Sequence, residues 1–373
     1  MKPIKILTLF GTRPEAIKMC PVVKVLGKDK GIQSIVCTTG QHQEMLQNVL
    51  DIFHVKPDYT LRVMRQGQTL SDLTARILTE VQAVFETEKP DLALVHGDTT
   101  TTFAAALAAF YARVPVGHVE AGLRTESIAS PFPEELNRRL TSQIATLHFA
   151  PTEKSAQNLR KEGIKKNVFV TGNTAIDALR YTVDDAYRFV SEAVGRLDFS
   201  KRIVTVTAHR RENWGSPLEN ICRALLALSH RHPDIRFVFP MHPNPIVRDT
   251  IIPLLTENPR MLLIDPLDTR DMHNLLRRSY LVLTDSGGLQ EEAPALGVPV
   301  VVLRKETERE EAVESGTVAL AGTSYDGIIA CAEELLSDTD ARRRMKAAVS
   351  PYGDGYASER IVRHIVAHFT EGG

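Results

Sequence analysis

The chain contains twelve short apolar segments without the apolar–polar alternation of half-exposed strands, and stretches of helical periodicity separate them. Such segments are typical of strands in parallel sheets covered by helices on both faces. Twelve strands exceed what one strongly twisted open sheet usually holds. The pattern therefore predicts an α/β fold with two Rossmann-like, doubly wound parallel-sheet domains. The segments are Ile4–Phe10, Ser34–Thr39, Leu92–His96, Pro115–Val119, Leu147–Ala150, Val168–Val170, Ile203–Thr207, Arg236–Phe239, Met261–Ile264, Leu281–Thr284, Val300–Leu303 and Val318–Leu320.

The domain boundary is expected near Gly172. The residues from Thr171 to Thr174 (Thr-Gly-Asn-Thr) are typical of a helix start, and we expect that helix to run towards Val194. The predicted domains are residues 1–171 and 172–356, with a last helix over about 357–373 that packs back on the first domain. A length of 373 residues suits two domains of ordinary size.

Composition restricts the partners and the compartment. A net charge of −1 gives no reason to expect a nucleic acid or a membrane surface as partner. The longest uncharged apolar run, Phe103–Ala112, is about half the ~20 residues that a membrane span needs. The four cysteines are scattered without C-x-x-C spacing, which disfavours a zinc ribbon or a disulfide framework. These features predict a soluble cytoplasmic protein with buried thiols.

Polar turns follow the strands in both predicted domains. Gly287 and Gly288 open a helix after one strand, and Gly11 begins a similar turn after the first strand. Such turns allow close backbone approach and favour an anion at the helix start. Two of them in opposite halves predict one ligand in a cleft between the domains, a nucleotide that carries a further group. Cations for its diphosphate are Arg13, Lys18, His209, Arg210, Arg211, His242, Arg304 and Arg309.

Two classes of nucleotide enzyme are disfavoured by missing motifs. The Walker A pattern is absent, which disfavours phosphoryl transfer, and the missing G-x-G-x-x-G after the first strand argues against a dinucleotide dehydrogenase.

Three carboxylates are candidates for acid/base catalysis: Asp98, Glu120 and Glu134. Clustered carboxylates in a partly buried site can acquire separated pKa values, so that one removes a proton while another donates one. The alternative is structural, with Asp98 capping a helix and Glu134 stabilising a helix start. His96 and His118, together with Asp98 and Glu120, also form a possible divalent-metal set, although histidines at the ends of buried strands more often bond to the backbone.

The chain resembles the non-hydrolysing bacterial UDP-N-acetylglucosamine 2-epimerases along nearly its whole length. The matching motifs are Phe10-Gly11-Thr12-Arg13-Pro14-Glu15-Ala16-Ile17-Lys18, Val95-His96-Gly97-Asp98-Thr99-Thr100-Thr101-Thr102, Gly117-His118-Val119-Glu120-Ala121-Gly122-Leu123-Arg124-Thr125, Thr171-Gly172-Asn173-Thr174, Thr284-Asp285-Ser286-Gly287-Gly288 and Pro351-Tyr352-Gly353-Asp354-Gly355. The resemblance implies a glycosyltransferase-B type fold without cofactor or metal. It also implies a homodimer that interconverts UDP-GlcNAc and UDP-ManNAc for cell-surface polysaccharide by eliminating UDP and adding it back.

The resemblance also implies roles for individual residues. Asp98, Glu120 and Glu134 form the acid/base set, and His209 stabilises the departing diphosphate. The positions that hold the substrate are Arg13, Lys18, Arg210, His242, Ser286, Gly287, Gly288, Glu292 and Arg309, with Glu292 on the ribose. A second, regulatory UDP-GlcNAc would use Gln41, Arg210 and His242, but Glu44 and Gly67 replace an expected Gln and Arg.

A third position departs from the family pattern: Glu310 replaces a proline next to Arg309. Three alternatives stay open, namely a hydrolysing epimerase, a glycosyltransferase and a catalytically silent nucleotide-sugar sensor.

Overall fold

The computed structural model describes residues 2–40, 43–65 and 67–371. The chain divides into two compact units, Met1–Tyr181 with Tyr352–Gly373 (unit 1) and Thr182–Pro351 (unit 2). The boundary between the units at Tyr181 and Thr182 thus lies one helix after the predicted boundary near Gly172. The reason is that this helix is fastened to the C-terminal segment, where the buried Asp177 carboxylate accepts hydrogen bonds from the backbone amides of Ala357 (3.1 Å) and Ser358 (2.6 Å).

Unit 1 contains a seven-stranded parallel sheet in the order β3-β2-β1-β4-β5-β6-β7. Its strands are β1 (Ile4–Phe10), β2 (Ile32–Thr38), β3 (Tyr59–Thr60), β4 (Leu92–His96), β5 (Val116–Val119), β6 (Leu147–Ala150) and β7 (Val168–Val170). The helices that follow them are α1 (Arg13–Leu26), α2 (Gln43–Phe53), α3 (Leu70–Glu88), α4 (Thr100–Tyr111), α5 (Glu134–Ile144), α6 (Glu153–Lys161) and α7 (Thr174–Thr182).

Unit 2 contains a six-stranded parallel sheet in the order β10-β9-β8-β11-β12-β13. Its strands are β8 (Arg202–Thr207), β9 (Ile235–Pro240), β10 (Met261–Ile264), β11 (Leu281–Thr284), β12 (Val300–Val302) and β13 (Val318–Leu320). Its helices are α8 (Glu192–Gly195), α9 (Ser216–Arg231), α10 (Pro245–Leu255), α11 (Thr269–Arg277), α12 (Leu289–Ala295), α13 (Glu310–Glu314), α14 (Tyr325–Ser337) and α15 (Thr339–Ala347). The last helix, α16 (Ala357–Glu371), belongs to unit 1.

Both faces of each sheet are covered, as the unalternating apolar segments predict. In β1, Ile6 and Phe10 pack in the cluster that contains α1, α2 and α16 side chains, whereas Leu7 and Leu9 pack in the cluster of α3 and α4. The two-domain α/β prediction is therefore confirmed. The two-residue strand β3 was not predicted, because it is too short to show a pattern.

The prediction that the helix after Gly172 runs towards Val194 is wrong, because α7 ends at Thr182. The chain after it is irregular, with a turn at Asp185 and Ala186, and the buried carboxylate of Asp271 holds its end in place. Asp271 accepts hydrogen bonds from the backbone amides of Val190 (2.9 Å) and Ser191 (2.8 Å). These bonds satisfy backbone groups that a continuous helix would have paired internally.

All four cysteines are free thiols, and three of them are buried. Burial raises the pKa of Cys20, Cys37 and Cys222 to about 12 and also raises the pKa of the half-buried Cys331. The three buried thiols are therefore protonated and unreactive at neutral pH. Among the described helices, none is both long and apolar enough to cross a bilayer.

Candidate active site

The strand order changes direction between β1 and β4 in unit 1 and between β8 and β11 in unit 2. Ligands of open α/β sheets bind beyond the carboxyl ends of the strands at such switch points. In unit 1 the switch brings together the turns that begin at Gly11 and Gly97. In unit 2 it brings together the turns that begin at Ala208 and Asp285. The turns at these switch points are among the polar turns that the sequence predicts to bind a ligand.

Glu15 joins the two turns of unit 1. Its buried carboxylate accepts hydrogen bonds from the backbone amides of Gly11 (3.0 Å) and Thr12 (2.7 Å) with one oxygen, and from the Thr99 hydroxyl (2.7 Å) with the other. Glu15 therefore has a structural role, and it fixes the turn from which the half-buried Arg13 begins α1.

Glu120 lies directly after β5 with a left-handed backbone φ of 62°, a rare conformation for a residue with a side chain. Lys18 from α1 pairs with its Oε2 atom, and the Asn173 amide donates a hydrogen bond to the same oxygen at 3.0 Å. His96 Nε2 lies 3.8 Å from that oxygen. The carboxylate is thus surrounded by groups from α1, from β4 and from the loop before α7, and its side chain is only 8% exposed.

Asp98 follows β4 and is paired with Arg138 of α5, whose guanidinium nitrogen lies 2.7 Å from Asp98 Oδ2. Burial raises the pKa of Asp98 to about 6, with Arg138 opposing the rise and the carboxylates of Glu120 and Glu134 adding to it. Asp98 is not the helix cap, because Thr99 caps α4 by accepting from the backbone amide of Thr102. A carboxyl that titrates near pH 6 can exchange a proton under neutral conditions.

Glu134 is the first residue of α5 and is half-buried. Its charge is close enough to raise the pKa of Asp98. Within unit 1, the charges of Glu120 and Glu134 therefore lie near enough to Asp98 to raise its pKa.

The two histidines of the metal alternative have other surroundings. His118 Nε2 lies 2.7 Å from the Gly97 carbonyl oxygen, as expected for a histidine at the end of a buried strand. Burial lowers the pKa of His96 to about 4 and that of His118 to about 3. Within the described part of the chain, no group of three or more His, Cys, Asp or Glu side chains is arranged to hold a metal ion.

In unit 2, Asp285 organises the turn that follows β8. Its fully buried carboxylate accepts hydrogen bonds from the backbone amides of His209 (2.7 Å) and Arg210 (2.8 Å) and from the Asn213 amide (3.0 Å). His209 Nδ1 lies 3.1 Å from the other carboxylate oxygen. Burial raises the pKa of Asp285, but the hydrogen bonds and the charge of His209 outweigh burial and lower it.

This contact leaves His209 Nε2 as the ring nitrogen directed away from Asp285. The ring stacks on that of His242, with centroids 5.7 Å apart and planes 12° apart. Partial burial and the neighbouring His209 lower the pKa of His242.

Arg309 is held beside the Gly287 turn by two acids. Its Nε donates to the buried Glu291 carboxylate at 2.8 Å, and an amino group lies 3.1 Å from Glu308. Arg210 lies 3.7 Å from the same Glu308. Burial raises the pKa of Glu308, but Arg309 and Arg304 outweigh it and lower the pKa to about 2. A Cβ atom on Gly287 would meet Glu308 at 3.1 Å, so a side chain there would crowd the turn.

Three further predicted residues, Ser286, Gly288 and Glu292, lie on α12 or directly before it. Ser286 donates its backbone amide to the Thr284 hydroxyl at 2.9 Å, and Gly288 precedes the first residue of the helix. Glu292 Oε2 lies 3.5 Å from His273 Nε2, and the Glu292 side chain is 14% exposed. Gln41 of the predicted second site lies outside the described residues.

Sequence reasoning missed Arg138, Glu308 and His273. Arg138 lies four residues after Glu134 in a polar helix, and its position on the same face as a candidate acid was the available signal. Glu308 directly precedes Arg309, and this adjacency was the available signal. His273 gave no signal, since its contacts are made across the fold.

Two parallel sheets with this strand order place the chain among the α/β proteins of glycosyltransferase-B type. A sequence model of the UDP-N-acetylglucosamine 2-epimerase family matches residues 24–366. The chain belongs to this family.

Several relatives are similar over their full length. The UDP-N-acetylglucosamine 2-epimerase of Bacillus subtilis (strain 168) is 51% identical over 371 residues, covering 99% of this chain and 97% of that protein. The crystal structure of UDP-GlcNAc 2-epimerase from Neisseria meningitidis bound to UDP-GlcNAc matches with a TM-score of 0.89 at 46% identity, covering 97% of this chain and 100% of that one. The Methanocaldococcus jannaschii UDP-GlcNAc 2-epimerase, in complex with UDP-GlcNAc and UDP, matches with a TM-score of 0.79 at 33% identity, covering 97% and 99% of the two chains.

Proposed function

We propose that this chain interconverts UDP-GlcNAc and UDP-ManNAc without hydrolysis, by inverting the configuration at C2 of the sugar. The observation that carries the proposal is the pKa of Asp98, which burial raises to about 6, with the nearby charges of Glu120 and Glu134 adding to the rise. Carboxyl groups with separated proton affinities are what a proton removal followed by a proton return requires. The structures of relatives bound to UDP-GlcNAc support the choice of substrate.

The C2 hydrogen of the sugar is too weakly acidic for simple removal at neutral pH, so we propose an elimination. A carboxylate takes the C2 proton, the C2 electron pair forms a double bond to C1, and the C1–oxygen bond breaks with its electron pair leaving on UDP. This step gives 2-acetamidoglucal. Return of a proton to the opposite face of C2, with attack of the UDP oxygen on C1, completes the epimerisation. Asp98, Glu120 and Glu134 carry the protons, and Lys18 pairs with the Glu120 carboxylate and fixes its position.

Unit 2 contributes the residues that we propose bind the nucleotide. His209, fixed by Asp285 through Nδ1, directs Nε2 to the diphosphate that gains charge as the C1–oxygen bond breaks. Arg309 and Arg210, together with Arg13 of unit 1, supply further positive charge, and Gly287 allows the phosphate to approach the turn. Ser286, Gly288 and His242 complete the phosphate contacts, and Glu292 accepts hydrogen bonds from the ribose hydroxyls.

A proton-NMR time course in heavy water tests this function. UDP-GlcNAc should convert to UDP-ManNAc with the sugar still attached to UDP and with deuterium at C2 of the product. Release of free N-acetylmannosamine would identify a hydrolysing enzyme, and full retention of the original hydrogen would exclude elimination. Replacing Asp98, Glu120 or Glu134 by its amide should lower kcat far more than UDP affinity, because proton transfer matters mainly in the transition state.

We also propose modest activation by a second UDP-GlcNAc at Gln41, Arg210 and His242, weakened because Glu44 and Gly67 replace an expected Gln and Arg. The rate should then rise sigmoidally with UDP-GlcNAc. A strictly hyperbolic dependence, with UDP-ManNAc turned over equally well alone, would contradict this.

The setting that we propose is a cytoplasmic homodimer that supplies ManNAc units for cell-surface polysaccharide. The four free thiols are consistent with a reducing compartment. Light scattering of the purified protein would show whether it is a dimer.

A further inference from the structure

His273 lies behind Glu292 in unit 2, on the neighbouring helix α11. The histidine side chain is only 3% exposed, so it is part of the interior and not of the surface that meets solvent. Its Nε2 atom lies 3.5 Å from Glu292 Oε2. The other oxygen, Oε1, turns back over the helix start, at 3.5 Å from where a Cβ of Gly288 would be. The two oxygens of Glu292 thus have different and defined neighbours.

The ring of His273 is itself fixed from behind. Its Nδ1 atom lies 2.7 Å from the hydroxyl oxygen of the fully buried Thr182. The backbone carbonyl of Thr182 accepts a hydrogen bond from the Asn274 amide at 2.8 Å, and the backbone amide of Asp184 donates to Asn274 at 2.9 Å. With Nδ1 engaged by Thr182, Nε2 is the ring nitrogen left to face the carboxylate.

We propose that His273 is a positioning residue, which orients the Glu292 carboxylate so that it can accept hydrogen bonds from the ribose hydroxyls of the nucleotide. The inference rests on the proposed function, because it takes the ligand to be a uridine nucleotide with its ribose at Glu292. A buried partner that fixes a binding carboxylate reduces the side-chain entropy lost on binding. Discrimination between ribose and a deoxyribose should therefore depend on His273.

The test compares the affinities of each variant for UDP and for 2′,3′-dideoxy-UDP by calorimetry. Hydrogen bonds from the ribose hydroxyls to the carboxylate should make UDP bind at least about 10-fold more tightly than the dideoxy compound to the parent enzyme. The Glu292→Gln variant is the reference for weakened carboxylate recognition. Because the ratio of the two affinities cancels general damage to the uracil and diphosphate contacts, it reports on the ribose alone.

Two substitutions of His273 separate its contacts. His273→Gln can place an amide near the Nε2 position and should retain most of the ratio. His273→Asn can reach only the Nδ1 partner, Thr182, and should reduce the ratio to below about 3-fold. A ratio that stays at the parent value in both variants overturns the proposal, as does equal loss of both affinities.

A milder pair of variants keeps the test valid if the His273 variants fold poorly. Thr182→Val removes the hydroxyl that holds Nδ1 with little change in volume, and it should lower the ratio several-fold. Thr205→Val removes a buried hydroxyl of the same unit, which lies 2.7 Å from Ser279 Oγ, and should leave the ratio unchanged. Equal ratios in the two variants would overturn the proposal. A parent protein that binds no UDP would instead refute the proposed function itself, and one that binds both compounds equally would refute only the ribose assignment and the role of His273.

Discussion

The pairing of Asp98 with Arg138 gives a prediction for the pH dependence of the enzyme. The pKa of Asp98 stands at about 6, raised from 3.8 mainly by burial and held down by the Arg138 guanidinium 2.7 Å away. We expect the ionised Asp98 carboxylate to be the active form. Because kcat/KM reports the ionisations of the free enzyme, its acidic limb for UDP-GlcNAc should then have an apparent pKa near 6.

Arg138→Gln should move this limb to higher pH. An opposite charge in contact lowers a carboxyl pKa by about 1–3 units, so its loss should raise the apparent pKa by about 1 unit or more. The ionised fraction of Asp98 at pH 7 would fall from about nine-tenths to about a half or less, and kcat/KM at pH 7 would fall by about 2- to 10-fold. Activity should recover at pH 8.5 to 9, because the carboxyl then ionises without the arginine.

Two variants serve as controls. Arg138→Lys retains the positive charge, so the limb should stay within about half a unit of its parental position. Arg139→Gln removes the neighbouring arginine, which contacts Glu135 at 2.6 Å, and should leave the limb unchanged. The reasoning would be refuted by a loss of activity in Arg138→Gln that is the same at every pH, or by an equal displacement in Arg139→Gln.

Three further outcomes are expected. Glu310 is exposed and begins α13, a position that accepts proline. Glu310→Pro should therefore tighten UDP binding by at most about 5-fold, and by more at low than at high salt. Calorimetry that shows no change in affinity at either salt concentration would mark Glu310 as a neutral surface position. Glu308→Gln should lower the urea-unfolding free energy by at most about 3 kcal/mol. Because the folded-state pKa of Glu308 is lowered from 4.5 to about 2, this difference should be largest above pH 5 and shrink as the pH falls from 4.5 towards 2, and a pH-independent difference would contradict the assignment. Gly11→Ala would place a Cβ 2.1 Å from the Thr39 hydroxyl, so it should destabilise the protein by about 1–3 kcal/mol and lower the Tm. Gly27→Ala is the control. Gly27 has a φ of −68°, and an added Cβ would have its nearest neighbour at 3.4 Å, so the Tm should stay nearly unchanged.

Much of the fold could be predicted, because parallel strands covered on both faces leave unalternating apolar segments in the sequence. The extent of the helix that starts at Thr174 could not, because the chain that follows α7 is held by Asp271, a residue far along the sequence. Helical propensity is easily overridden by such tertiary hydrogen bonds.

The candidate site was predictable where strand ends carry polar residues, as at Asp98 and His209. The left-handed backbone of Glu120 could not be predicted, since residues with side chains rarely adopt it. The pairing of Arg138 with Asp98 could not be predicted for another reason. A cation in a polar helix suggests a solvated face, and only the packing of α5 makes Arg138 a buried partner of Asp98.

The unreactive thiols of this chain offer a practical advantage for spectroscopy. A maleimide dye reacts with thiolate, and burial keeps Cys20, Cys37 and Cys222 protonated at neutral pH. New cysteines at the exposed positions Lys30 and Glu257, one in each unit, should therefore label selectively once the half-buried Cys331 is replaced by alanine. Energy transfer between a donor and an acceptor at these two positions would then follow the separation of the units during turnover, with the three buried thiols left in place.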